Sequence, residues 1–241
     1  MPAKKRKREN KKKQRNTEKF PTTKNRYYIF CEGEKTEPIY FNGFKDAIKQ
    51  NPMYSNSVHV EAFGVAKETI RILEQAVAYV EYNQIKNAEI WCVYDKDSFP
   101  NADFNEVSLR ANNLNKSEKT KRAGISYRVA WSNQCIEYWF LIHFDKYDSD
   151  NDRTAYMNYL TKKYKSFGKN KYEKNDEETF YILTYKGNPK LAIKRAEQRL
   201  MECIGLTDSE SAPATKVHLL VKELAKYLPE EIKKHYLEQS P

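Results

Sequence analysis

Two short apolar runs, each ending abruptly in acids, constrain this chain more than any other feature. Tyr27-Tyr28-Ile29-Phe30-Cys31 runs into Glu32-Gly33-Glu34-Lys35-Thr36-Glu37, and Ile90-Trp91-Cys92-Val93-Tyr94 runs into Asp95-Lys96-Asp97. Runs this short, rich in aromatic and β-branched residues, read as buried strands. What lies between them reads as helix. Thr36 is placed to cap a helix reaching about residue 50, with Pro38 tolerated in its first turn and Asn51-Pro52 ending it. Residues 58–63 alternate as a second strand. Residues 67–85 carry an apolar face through Leu73, Ala76, Val77 and Val80. After the strand at 90–94 come a helix over 105–117, a strand over 126–131, a cap at Ser132-Asn133 and an apolar helix over 136–144. Strands alternating with helices predict an α/β fold with a parallel sheet flanked by helices.

The second half changes character. Residues 145–178 are polar, with many Lys, Asn and Tyr; Tyr156, Tyr159, Leu160 and Tyr164 suggest a helix, and 165–176 reads as a flexible surface loop. Residues 188–204 are amphipathic through Ala192, Ile193, Ala196, Leu200 and Ile204. Another helix is expected over 216–228, and Pro229 opens a last one. These helices are expected to pack on the sheet.

Charge is unevenly placed. Of the 43 Lys and Arg, twelve fall within residues 1–26 against two acids, which leaves 31 basic and 31 acidic residues for the body. The excess is therefore an arm, expected to be disordered alone and attracted to polyanions without reading their sequence. Its candidate nucleic-acid contacts are Lys4, Lys5, Arg6, Lys7, Arg8, Lys11, Lys12, Lys13 and Arg15. A solvated tail that aids solubility explains the same composition. No run approaches the roughly eighteen apolar residues of a membrane span, and no apolar leader follows the first methionine. The four cysteines are far apart with no CxxC pair, so reduced core thiols in a cytoplasmic protein are expected.

Carboxylates gathered at the carboxyl ends of neighbouring strands repel one another unless a cation sits among them. Glu32 with Asp95 and Asp97 therefore reads as a site for Mg²⁺ (or Mn²⁺), whose usual partner is a phosphate. Acids that merely start helices are the plain competing explanation. Lys35 either stabilises charge developing on a transferring phosphate or offsets Glu34 and Glu37. Glu37 or Glu34 adds a ligand or a general base, or is a helix-start acid. Glu137 lies in an apolar helix, where an unpaired carboxylate is costly; it faces the metal site or pairs with a buried Arg or a backbone N–H. His143, His218, Trp91, Trp131 and Trp139 read as core residues.

Four ordered blocks resemble one family. Cys31 to Pro38 with Tyr40-Phe41 is similar to the opening motif of the RloB-like proteins, and Val93-Tyr94-Asp95-Lys96-Asp97 to their second. The segment from Ser132 to Phe144 resembles the third, with Gln134 where a proline is expected. Ser211-Ala212-Pro213-Ala214-Thr215-Lys216-Val217-His218-Leu219-Leu220-Val221 resembles the last. The resemblance covers about residues 26–228. It implies a Toprim-related domain in which Glu32 is the lone Glu and Asp95 and Asp97 the DxD pair around Mg²⁺. It implies a division into a basic arm (1–25), a Toprim-like α/β core (26–145) and a helical C-terminal extension packed on that core (146–238). It further implies a metal-dependent nuclease cleaving DNA or RNA, in a bacterial or archaeal cytoplasm. Such proteins are associated with antiphage loci, often with an ATPase partner. Glu32, Lys35, Glu37, Asp95, Asp97 and Glu137 are the candidate catalytic residues. A non-catalytic subunit that binds nucleic acid or an ATPase is the alternative.

Overall fold

The computed structural model describes residues 25–65 and 69–237 and places both acid-ended runs in one sheet. The first half comprises β1 (Asn25–Cys31), α1 (Thr36–Lys49), β2 (Val58–Gly64), α2 (Thr69–Tyr82) and β3 (Ala88–Asp95). It continues through α3 (Asn101–Lys116), α4 (Glu118–Ala123), β4 (Ile125–Asn133) and α5 (Ile136–Leu141). The second half adds α6 (Arg153–Ser166), α7 (Thr179–Tyr185), α8 (Pro189–Glu202), β5 (Ala214–Thr215), α9 (Val217–Ala225) and α10 (Glu230–Lys233). The sheet is ordered β2-β1-β3-β4-β5. Its first four strands pair in parallel, and β5 joins β4 antiparallel. This is an α/β protein with a Toprim-like sheet between helical layers.

The central strands explain the apolar runs. Along β1, Tyr27, Ile29 and Cys31 enter one core while Tyr28 and Phe30 enter the other. Along β3, Trp91 and Val93 face the first core, and Ile90, Cys92 and Tyr94 the second. Side chains alternate between faces, so a strand covered by helices on both sides needs apolar residues at successive positions. Burying each such side chain contributes roughly 1.5–3 kcal/mol. Helices of the second half share the first core with α1: Leu160, Leu183, Ile193, Leu220 and Leu224 are buried with Tyr40, Phe41 and Phe44.

Gly43 sets how closely α1 and α7 approach. A Cβ there would stand 2.2 Å from Cβ of Phe180, which is too near the backbone to swing aside. Gly43→Ala is therefore expected to destabilise the fold by about 1–3 kcal/mol, although alanine is the better helix former. A lowered urea midpoint checks this; an unchanged or higher one contradicts the packing.

Several local expectations are corrected. Thr36 is the first helical residue of α1, with Lys35 at the cap position and no side-chain cap. Asn133 does not cap α5; its amide donates to the carbonyls of Asp208 and Ser209, and Cys135 holds the cap position. The helix expected over 105–117 starts earlier, after Pro100, and a further short helix, α4, is capped by Ser117. The expected start of α2 at Lys67 lies outside the described residues. Residues 165–176 are not simply a surface loop, because Tyr172 is 3% exposed and packs into the first core. α7 has no counterpart among the expected helices: Phe180, Ile182 and Leu183 are its buried apolar residues. The cysteines are free and buried, and the three tryptophans, His143 and His218 are core residues as expected. Among the described residues no helix is long and apolar enough to cross a membrane.

Candidate functional site

The strand order reverses between β1 and β3. From β1 the chain crosses to β2 on one side, and from β3 it crosses to β4 on the other. Connections leaving the carboxyl ends of such a pair diverge and open a crevice. Both acid motifs lie there. The Glu32 N–H donates to the Val93 carbonyl at 2.9 Å, which extends the β1–β3 pairing one residue beyond the strand. The Glu32 carboxylate accepts from the Asp95 N–H at 3.0 Å. Asp97 follows with φ of 36°, a left-handed backbone that Asp tolerates better than most residues. Its turn is held to the end of β4 by Lys96 N–H to Ser132 O and Asp97 N–H to Gln134 O. The Asn133–Gln134 peptide is cis.

The crevice has a volume of about 430 Å³ and is lined by Glu32, Glu37, Asp95, Asp97 and Glu137 together with Arg153 and others. Gly33 makes room for one of these acids, since a Cβ there would stand 2.3 Å from Glu37 Oε2. Glu37 and Asp95 are each 4% exposed, and Glu137 is fully buried. Glu34 and Lys35 line the rim with exposed side chains. All six candidate catalytic residues thus reach one crevice. The candidate contacts of the basic arm, Lys4 to Arg15, lie outside the described residues.

Sequence reasoning missed the cations that face these acids. One nitrogen of Arg153, Nη2, donates to Asp95 Oδ2 at 2.8 Å and stands 2.7 Å from Asp97 Oδ2. Its Nε stands 3.9 Å from Glu137 Oε2, too far for a hydrogen bond. Lys174 Nζ is 3.8 Å from Glu137 Oε1, to which the Tyr172 hydroxyl also donates at 3.3 Å. So Glu137 both faces the site and pairs with an arginine, the two uses its sequence left open. One signal was available. Between residues 145 and 178 there is one arginine among seven lysines, and its planar fork suits carboxylates as no lysine does.

The electrostatics follow from this crowding. Burial first, then the Glu37 and Glu137 carboxylates, hold Asp95 well above the usual range, with Arg153 working against them. Burial likewise raises Glu32 to about 7, against the Asp95 N–H that favours its charged form. Glu37 also rises to about 7, again chiefly through burial. Asp97 is raised by burial, which outweighs Arg153. For Arg153 burial pulls downward, but Asp95, Asp97 and Glu137 outweigh it and push its pKa up.

Two observations bear on a metal. Asp95 and Asp97 already share one cationic nitrogen, and Asp95 Oδ1 and Glu137 Oε2 are buried with no hydrogen-bond partner. A hard cation seeks oxygen donors of this kind. Against this, no group of three or more His, Cys, Asp or Glu among the described residues is arranged to hold a metal ion. The donor chemistry of Asp95 and Asp97 suits such an ion, but the arrangement offers two donors, because the Glu32 carboxylate accepts from the Asp95 N–H instead of joining the pair at Arg153.

Fold and crevice define an α/β protein of Toprim-like architecture with an acidic site at the switch point of its sheet. The model of one family, described as RloB-like protein, matches residues 27–224. The chain belongs to that family. No curated protein and no solved structure matches it.

Proposed function

We propose that the protein is a metal-dependent nuclease that hydrolyses phosphodiester bonds in DNA or RNA. The observation that carries this reading is the single Arg153 nitrogen bridging Asp95 and Asp97 beside the unpartnered Asp95 Oδ1. One buried and one half-buried carboxylate within reach of one cation suit a Mg²⁺ or Mn²⁺ ion, and Glu32 adjoins them through the Asp95 N–H. When bound, the ion supplies Lewis-acid stabilisation of charge on the phosphate. Asp95 and Asp97 would hold it, and Glu32 would complete the set on leaving the Asp95 N–H. Glu37, poised near neutral pH, takes the proton of the attacking water. The water oxygen bonds to phosphorus, the bond to the leaving ester oxygen breaks, and that oxygen takes a proton from solvent water, while Glu37 later returns its own proton to solvent. Lys35 at the rim meets the phosphate's negative charge. The basic arm raises the local concentration of nucleic acid. The cellular setting that suits this chemistry is antiphage defence with an ATPase partner.

One observation favours a rival. A structural ion-pair network would also place Arg153 between Asp95 and Asp97, and the described acids form no ready three-donor site. That reading makes the chain a non-catalytic subunit binding nucleic acid or an ATPase. The two separate when pure protein is incubated with plasmid, single-stranded DNA and tRNA in Mg²⁺ or Mn²⁺, with and without chelator. Chelator-sensitive cleavage is expected. Nucleic-acid binding indifferent to chelator, with no product in either metal, supports the rival.

A further inference from the structure

We propose that Arg153 is a displaceable counter-ion that doubles as the ligand for the substrate phosphate. In the cation-free chain its guanidinium holds Asp95 and Asp97; when a divalent ion takes those oxygens, the guanidinium turns outward and grips a phosphate of the bound strand. This rests on the metal-dependent reading of the same crevice.

Four features of the structure carry it. First, a guanidinium fork matches carboxylate and phosphate alike, so one side chain serves both partners. Second, the resting arrangement leaves groups unsatisfied. Arg153 Nε, Asp95 Oδ1 and Glu137 Oε2 are all buried without hydrogen-bond partners, although they belong to one cluster. A buried ion pair with spare donors and acceptors is not at its optimum, and one that regroups around a ligand satisfies them. Third, the arginine is more exposed than the acids it answers. Asp95 ends a central strand and Glu137 sits in a wholly buried helix, with side chains 5% and 1% exposed, whereas the Arg153 side chain is 35% exposed at the first residue of α6. Fourth, there is space to move into. A second cavity of about 540 Å³, lined by Ser98, Gln134, Asp150, Asn151 and Asp152, also has Arg153 and Asp97 in its wall, and Arg153 is the one cation lining it among the described residues. The side chain therefore borders both cavities, and a rotamer change would carry it from the first towards the second. Lys174, beside Glu137 and 42% exposed, stays to offset that acid.

The test reads two affinities of opposite sign in the full-length chain. Mn²⁺ binding is followed by the electron paramagnetic resonance of free Mn²⁺. Oligonucleotide binding is followed by the anisotropy of a fluorescein-labelled single strand in Ca²⁺. Arg153→Gln is expected to bind Mn²⁺ about tenfold more tightly, because its competitor is gone, and the oligonucleotide about tenfold more weakly, because the fork is gone. A merely structural arginine would weaken both or neither. Circular dichroism checks the fold, and if Arg153→Gln does not fold, Arg153→Met replaces it with the same signs expected. Equal Mn²⁺ affinity in both proteins overturns the counter-ion role and leaves the metal reading standing. Absence of Mn²⁺ binding in both overturns the two together. Unchanged oligonucleotide affinity overturns the phosphate role.

Discussion

Asp95→Asn is expected to lower metal-dependent cleavage by about 10³-fold or more, because a Lewis-acid contact supplies several kcal/mol and each 1.36 kcal/mol is about tenfold in rate. The same change is expected to leave the melting temperature unchanged or raise it. Asp95 is 4% exposed, and burial together with Glu37 and Glu137 makes its charged form unfavourable. An amide of the same shape removes that charge from the cluster. Arg153 loses one partner but keeps Asp97 at 2.7 Å. A residue kept for stability would behave in the opposite way, losing stability on removal of its ion pair. Cleavage rates and melting curves of parent and variant, measured side by side, decide the matter. Full activity would remove Asp95 from the chemistry. An inactive protein with a collapsed transition would reassign it to structure.

Glu32 and Glu37 give the second large effect, through pH. Both titrate near 7 in the folded chain, against an ordinary value of 4.5, and burial is the first cause for each. Between those values the folded state keeps protons that the unfolded chain has released. Their contribution is therefore full below about pH 4.5, is lost as pH rises towards 7, and is flat above. For Glu32 alone it is on the order of 3 kcal/mol. A divalent ion reverses the sign, since it favours the charged carboxylates. Denaturant midpoints of the parent without metal are expected to fall between about pH 5 and about pH 7. Mg²⁺ should raise them at the alkaline end only. A Glu32→Gln, Glu37→Gln double variant should show a smaller fall and a smaller Mg²⁺ effect, the remainder belonging to Asp95 and Asp97. Parallel pH profiles for parent and double variant would refute the account.

The sheet was legible because its physics is local. β1 and β3 are covered on both faces, so their apolar character is continuous and needs no partner to be recognised. Glu32 and Asp95 were legible for the same reason: each stands where such a run stops. β5 was not legible. Ala214-Thr215 is two residues long and pairs with Ser132 and Asn133, more than eighty positions away. Nothing in its own sequence carries a period. The cap at Asn133 failed in a related way, because its amide found the carbonyls of Asp208 and Ser209 in preference to the following helix. Arg153 and Lys174 were hidden by a polar stretch that reads as surface. Composition reports the average exposure of such a stretch and not the one side chain that turns inward. Tyr172 was lost with them, since a single buried hydroxyl aimed at Glu137 leaves no pattern.

The acids of the crevice come from residues 32 to 137, while the cations that answer them come from residues 153 and 174. A ribosome making this chain therefore synthesises the acids first and the two answering cations some tens of codons later. At about 5–20 residues per second that interval lasts a few seconds. Charge neutralisation of the crevice is therefore completed only by residues translated well past the middle of the chain.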